Sequence, residues 1–342
     1  MSNLFPKRKT RAPAVAALAV AATTAVAAAI WNRYKAKRAE REDPPIGRFV
    51  DVDGVRLHYT DTGRGPCVVL LHGNTVLLQD FEASGVTGML AEDHRVISFD
   101  RPGFGYSERP RNRLWTAQAQ AALLQRALEL LGANRPVVIG HSWGTLVALS
   151  LAVDSPALVR GLVLVSGYYF PSARLDGVMT APAAMPVVGD VLRYTASPFA
   201  GRLLMKKTVQ AMFAPASMPE AFFGSMPREM LLRPSQIRAT SEDAALMLPA
   251  AARLRDNYPS IDMPVRIFAG AGDKVVDPES HSARLHGVLP NSTLDIEPDA
   301  GHMVHYKIAA LICAAVSDIE AHTPHSATAD SDEDHLEAMA AS

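Results

Sequence analysis

The chain has 342 residues, of which 48% are hydrophobic and 20% charged, with a formal net charge of -1. That length holds one large domain or two ordinary ones around a sizeable core. The near-neutral charge, with no basic stripe in the body and no interleaved aromatics, leaves no basis for a nucleic-acid surface. The only two cysteines, Cys67 and Cys313, lie too far apart to imply a disulfide framework and read as buried free thiols.

In chain order, the first feature is an uncharged Ala/Val-rich stretch, residues 12–31, within a basic N-terminal segment 1–44. Lys7, Arg8, Lys9 and Arg11 precede it, and Arg33, Lys35, Lys37, Arg38 and Arg41 follow. At about 1.5 Å per residue, some 20 helical residues just cross a bilayer core of about 30 Å. Three readings compete: a single membrane anchor, a signal peptide cleaved near Ala27-Ala28-Ala29, and a non-inserting alanine-rich helix. The charge is nearly balanced across the stretch, so no orientation follows. The first two readings make the protein membrane-associated, or secreted or periplasmic after cleavage.

The runs Arg48–Val52 and Val55–Tyr59 flank Asp53-Gly54, a two-residue hairpin signal. Cys67–Leu71, Arg95–Phe99, Val137–Ile139 and Gly161–Val165 are apolar runs of the buried-strand type. Residues 116–131 have helical spacing, with Thr116 as N-cap and Gly132 as stop. Strands alternating with helices predict an α/β class: a mainly parallel sheet flanked by helices. The alternation breaks over residues 168–260, a Pro-rich segment of helical patches that holds eight of the thirteen methionines. Strands at 265–269 and 293–296 and a helix over 304–320 restore the pattern. The domain organisation expected is an α/β core (45–167 and 261–320), an inserted helical cap (168–260) and a disordered tail (321–342) of Ser, Thr, Ala and acidic residues.

Gly140-His141-Ser142-Trp143-Gly144 reads G-x-S-x-G between a strand and a helix pattern. A strained turn there presents a serine hydroxyl at the top of the sheet and the helix N-terminus behind it. A side chain at either glycine is expected to collide with the neighbouring strand or helix. A lone hydroxyl is a poor nucleophile at neutral pH; it needs a base, and the base needs an orienting carboxylate. Open α/β sheets place such groups after the C-terminal ends of strands. His302 and Asp273 occupy such loops, with His305 and Asp277 as their rivals. A metal reading of His302 with His305 is weak, because no further ligand cluster accompanies them. His281 and His286 are expected on a solvated helix face, and His72 and His141 as loop-packing residues.

Together, His72-Gly73-Asn74, Asp100 through Ser107, the Gly140 to Gly144 motif, Gly272-Asp273 and Gly301-His302 resemble the α/β-hydrolase superfamily, over about residues 49–320. The resemblance implies Ser142 as nucleophile, His302 as general base and acid, and Asp273 as orienting carboxylate. It also implies an oxyanion hole from the backbone N–H groups of Asn74 and Trp143, with no cofactor and no metal. The Asp100–Ser107 motif is read as structural. Asn74 and Trp143 are also similar to haloalkane dehalogenase positions whose side chains hold halide, but those enzymes use an aspartate nucleophile. Alkylated serine is an ether without a carbonyl for water to attack, so Ser142 demands an acyl substrate. The expected function is a carboxylesterase- or lipase-like serine hydrolase of a small hydrophobic ester. The alternatives are iminopeptidase-like, carbon–carbon-bond-hydrolase or perhydrolase chemistry on the same residues, and a non-catalytic binder. The cap's Met, Phe and Leu are read either as an apolar pocket lining or as cap core, and Glu220, Glu229 and Glu242 are the acidic groups available to hold a substrate amine.

Overall fold

The structure, a computed structural model, describes residues 12–172 and 182–322. The expected tail therefore lies almost wholly outside the described residues, as do cap residues 173–181. Among the described residues, eight strands form one sheet in the order β1-β2-β4-β3-β5-β6-β7-β8. They are β1 Arg48–Val52, β2 Val55–Thr62, β3 Cys67–Leu71, β4 Arg95–Phe99, β5 Val137–His141, β6 Gly161–Val165, β7 Val265–Gly270 and β8 Ser292–Glu297. β1 and β2 pair antiparallel through the expected hairpin, where Asp53 and Gly54 take φ of 50° and 73°. β2 is also antiparallel to β4, and from β4 to β8 every pairing is parallel. β3, β5 and β6 are buried at every position, as expected of parallel strands covered on both faces.

The helices are α1 Ala12–Glu42, α2 Gln79–Ala83, α3 Val86–Leu90, α4 Ala117–Leu130, α5 Trp143–Asp154, α6 Val188–Tyr194, α7 Ala196–Phe213, α8 Phe222–Ser225, α9 Arg228–Leu231, α10 Pro234–Leu254, α11 Arg284–His286 and α12 Ala309–His322. The Thr116 hydroxyl caps α4 by accepting from the Ala119 N–H. One face of the sheet packs α4 and α5 through Leu123, Leu124, Leu128, Leu146 and Leu149. The other packs α3 and α12 through Val86, Leu90, Ile312, Val316 and Ile319.

Between β6 and β7 lies the helical insertion, α6 to α10. Its Met226 and Met230 are buried with Phe213 and Phe222 against Leu77, Phe104 and Met303 of the core, and Met247 joins the core cluster under α5. These three methionines glue the cap to the sheet domain. The soft, unbranched side chain fills such irregular seams well.

Three expectations need correction. His281 is buried, not solvated. Its Nδ1 accepts the N–H groups of Tyr169 and Phe170, and its ring lies 4.6 Å from that of Tyr168, because the β6 exit loop crosses it. His286 is exposed, as expected. The last helix starts at Ala309, since residues 304–306 form a tight 3-10 turn that aims His305 and Tyr306 at one carboxylate. Cys67 is buried and its thiol is pushed up to about 12 by burial, but Cys313 is only half-buried.

Candidate active site

β5 ends at His141, and α5 begins at Trp143. Ser142 makes the whole turn between them, at φ 51° and ψ -116°. A non-glycine residue there stores about 1–3 kcal/mol of strain, held by the packing around it. Close approach explains the two flanking glycines. A Cβ on Gly144 would lie 2.1 Å from the Leu71 carbonyl oxygen, and one on Gly140 would lie 2.8 Å from the Gly144 oxygen.

The Ser142 Oγ is 2.9 Å from His302 Nε2, and His302 Nδ1 is 2.8 Å from Asp273 Oδ2. All three residues are buried. Since a carboxylate only accepts, Nδ1 carries the proton, and Nε2 presents its lone pair to the hydroxyl. Asp273 Oδ1 accepts the N–H groups of Val275 and Val276 at 2.7 and 2.9 Å. Burial alone would raise this carboxyl. The attraction of the adjacent His302 imidazole, its hydrogen bond and the two N–H donors outweigh that, so Asp273 is held below its ordinary value. Asp277 is exposed and caps the following turn by accepting from the Ser280 N–H. His305 points elsewhere, and so the structure brings together Ser142, His302 and Asp273 and not their rivals.

Trp143 is the first residue of α5, whose first-turn N–H groups lack an i−4 carbonyl. Asn74 follows β3 in the neighbouring loop. The Gly73 carbonyl, which shares a peptide plane with the Asn74 N–H, accepts from Arg101 Nη2 at 3.0 Å and His72 Nδ1 at 2.7 Å. In a trans peptide the C=O and N–H point in opposite directions, so these two bonds fix where the Asn74 N–H points. Neither side chain is free. Asn74 Nδ2 donates to Thr240 O at 3.0 Å, and Trp143 Nε1 donates to Asp243 O at 2.8 Å, both on cap helix α10.

Sequence reasoning missed the group beneath this loop. Arg101 is fully buried between the rings of Phe104 and Trp143, 4.5 and 4.6 Å from their centroids. It donates to His72 O and Gly73 O and pairs with Asp243 at 2.6 Å, and Arg109 pairs with the other oxygen of Asp243 at 2.9 Å. An arginine at the head of the otherwise apolar turn Arg101 to Gly105 was the available signal. Its partner Asp243 lies 142 residues away and cannot be paired with it from sequence.

His72 and His141 are both locked in the core. His72 Nε2 accepts the Arg101 N–H, and burial followed by the nearby Arg101 charge pushes His72 down to about 3. His141 donates from Nε2 to the His302 carbonyl, and burial followed by His305 pushes it down to about 4. Asp80 receives His305 Nε2 at 3.1 Å and the Tyr306 hydroxyl at 2.9 Å, and lies 3.5 Å from His141 Nδ1. Among the described residues, Asp80, His141 and His305 are the group that could hold a metal ion, with ligand atoms within 4.8 Å of one another. His305 therefore has cluster partners that the sequence did not reveal, though His302 is not among them. Hydrogen bonds tie Asp80 to His305 and Tyr306 behind the His302 loop, while His141 Nδ1 and His305 Nδ1 are buried without a hydrogen-bond partner.

In the cap, Glu242 is paired with Arg109 and Arg238, Glu229 with Arg202 and Lys35, and Glu220 is exposed. The N-terminal helix α1 is long and apolar enough to cross a membrane, and its apolar part is almost wholly exposed.

Comparison with known proteins places this arrangement in a family. Residues 66–307 match the model of the alpha/beta hydrolase fold. The chain is 28% identical over 286 residues to haloalkane dehalogenase 2 of Mycobacterium tuberculosis, covering 80% of this chain and 94% of that one. It is 27% identical over 276 residues to 2-hydroxymuconate semialdehyde hydrolase of Pseudomonas putida, covering 77% and 90%. The enol-lactonase of Burkholderia xenovorans LB400 shares the fold at a TM-score of 0.67 and 19% identity, over 80% of this chain and 100% of that one. With a matching family model over most of its length, a sheet parallel from β4 to β8 and a helical insertion after β6, the chain belongs to the α/β-hydrolase family.

Proposed function

We propose that the protein is a serine hydrolase that cleaves a hydrophobic carboxylic ester through an acyl-enzyme. The observation that carries this reading is the buried chain of contacts from the hydroxyl of Ser142, whose backbone φ is positive, through His302 to Asp273. Ser142 attacks the ester carbonyl while its proton passes to His302 Nε2. The tetrahedral oxyanion is received by the N–H groups of Trp143 and Asn74, and two such donors supply several kcal/mol. His302 then returns the proton to the leaving alcohol. Water activated by the same imidazole attacks the acyl-serine and releases the acid, and Asp273 stabilises the imidazolium at both stages. No step needs a cofactor.

The relatives include a dehalogenase, but two observations argue against that activity here. The residue at the elbow is serine, and the Asn74 and Trp143 side chains are spent on carbonyls of α10. An iminopeptidase-like reading is also less well supported, because Glu229 and Glu242 are engaged by arginines. Carbon–carbon cleavage next to a carbonyl uses the same residues, and likeness to the hydroxymuconate semialdehyde hydrolase keeps it as the second reading. A non-catalytic binder would not need the Ser142–His302–Asp273 alignment.

For α1 we propose a single membrane anchor. The apolar side chains of Val15, Leu18, Val20, Val26 and Ile30 are exposed, and lipid would cover them.

The test is labelling with a fluorophosphonate probe followed by assay on aryl esters. Native protein is expected to label and to hydrolyse esters, and Ser142→Ala to do neither. Equal labelling of the two proteins refutes the reading. Turnover of a vinylogous diketone, with little on aryl esters, would move the assignment to carbon–carbon cleavage.

A further inference from the structure

Helix α1 does not end where its apolar stretch ends. Its second half is fastened to the cap. Asn32 is buried, its Nδ2 donates to Tyr194 O and Thr195 O at 2.9 and 3.1 Å, and its Oδ1 accepts from Arg202 at 2.9 Å. Arg202 in turn forms two bonds with Glu229, and Glu40 pairs with Arg233 at 3.2 Å. Ala39 is buried in the seam. The direction in which α1 leaves the protein is therefore set by the cap.

This attachment creates a conflict of length. An apolar groove of about 780 Å³ runs between α1 and the start of α7, with Ala21, Ala25 and Ala28 on one wall and Ala196 and Phe199 on the other. The cap thus stands beside α1 as far out as Ala21. If the bilayer surface lay beyond the cap, only residues 12–20 of the uncharged stretch would enter it, because the charged Lys7, Arg8, Lys9 and Arg11 precede them. Nine residues at about 1.5 Å each give about 14 Å, less than half of a hydrocarbon core of about 30 Å. An anchor that spans the bilayer must carry the adjoining part of the cap into the membrane with it.

That part of the cap is built for an apolar solvent. Phe199 and Leu203 repeat the spacing of one helical face, and with Leu204 of α7 and Val187 and Val191 around α6 they are exposed, Leu203 at 79%. Trp31 and Tyr34, each about half exposed, stand at the level where α1 meets the cap, and amphipathic rings favour the membrane interface. Lys206 and Lys207, both exposed, follow the apolar face of α7, suitably placed for lipid phosphates.

We propose that the cap is itself seated in the bilayer, with the exposed face of α6 and α7 among acyl chains and the groove beside α1 filled by lipid. The inference rests on the reading of α1 as an anchor and is independent of the hydrolase chemistry.

The experiment uses the full-length protein reconstituted into vesicles of phosphatidylcholine and phosphatidylglycerol. Cys313 is replaced by alanine, and a polarity-sensitive NBD label is placed on Leu203→Cys or, as control, on Leu130→Cys, an exposed position of α4. The expected result is co-flotation with the vesicles, a blue-shifted label at 203 that loses most of its emission in lipid brominated on the acyl chain, and a label at 130 that is unaffected. Co-flotation with equal, water-like emission at both positions overturns the seated cap while leaving the anchor intact. Failure to float overturns both. Leu203→Glu, on a side chain that touches no catalytic group, should weaken vesicle binding and leave hydrolysis of a water-soluble aryl ester unchanged. Fluorophosphonate labelling reports separately on the hydrolase reading.

Discussion

Replacing Asp273 by asparagine tests the proposed mechanism most sharply, because the structure separates its catalytic cost from its structural cost. One oxygen of Asp273 holds the Val275 and Val276 N–H groups, and the other faces His302 Nδ1. An asparagine can keep its oxygen on the two backbone donors, which forces its NH2 toward the imidazole. His302 must then carry its proton on Nε2, where it faces the Ser142 hydroxyl and cannot take a proton from it. The wrong tautomer costs about 10⁴-fold in kcat, or about 5.5 kcal/mol in the barrier. Stability should change little, because both backbone bonds survive. Asp273→Ala makes the contrast: the Val275 and Val276 N–H groups lose their acceptor, and the buried one at Val276 alone costs about 1–3 kcal/mol. The assay is aryl-ester turnover beside thermal unfolding, with Asp277→Asn as a control expected to keep activity. An Asp273→Asn enzyme within tenfold of the native rate, or an equal loss in Asp277→Asn, refutes the reasoning.

Arg101→Met should both destabilise and slow the enzyme. Asp243 loses the shorter of its two ion pairs, and breaking a buried pair costs about 3–5 kcal/mol; the Gly73–Asn74 peptide also loses one of its two clamps. Restoration of stability but not of kcat in Arg101→Met/Asp243→Leu would separate the two effects, and full recovery of both would remove Arg101 from oxyanion positioning. Chloride and bromide should neither alter tryptophan fluorescence nor inhibit, because Trp143 Nε1 and Asn74 Nδ2 already donate to α10; saturable halide quenching would contradict this. The pH dependence of stability follows from His72 and His141, buried and held at about 3 and about 4. Their folded values lie below an unfolded value of about 6.5, so the unfolded chain binds more protons as pH falls, and stability that is complete above about 6.5 is lost progressively toward 4. At pH 5 each contributes on the order of 2 kcal/mol of loss, to be read from denaturant unfolding at pH 7 and pH 5; equal stability at the two values would contradict the burial argument. Gly144→Ala should not yield folded protein, since its Cβ would overlap the Leu71 carbonyl, and a soluble, active variant would count against the crowded elbow.

Much of this protein is determined by local rules. Continuous apolar runs such as Val137–Ile139, bounded by turn residues, read as strands covered on both faces, and Asp53-Gly54 allows the positive φ that a tight hairpin needs. G-x-S-x-G marks the elbow because two glycines are required where strand, turn and helix crowd together. These signals are short in range, and so the fold class and the elbow at Ser142 were legible in the chain, with Asp273 and His302 as candidates among rivals until the structure showed which side chains meet. What they could not determine is which distant groups share a buried charge or a surface. Arg101 meets Asp243 across 142 residues, Asp80 gathers His141, His305 and Tyr306, and His281 is covered by the exit loop of β6. Burial of a polar group is a property of everything packed around it, and only the tertiary structure supplies those neighbours. The same holds for α1, whose apolar length is written in the sequence but whose seat against the cap, through Asn32 and Glu40, is decided by the fold.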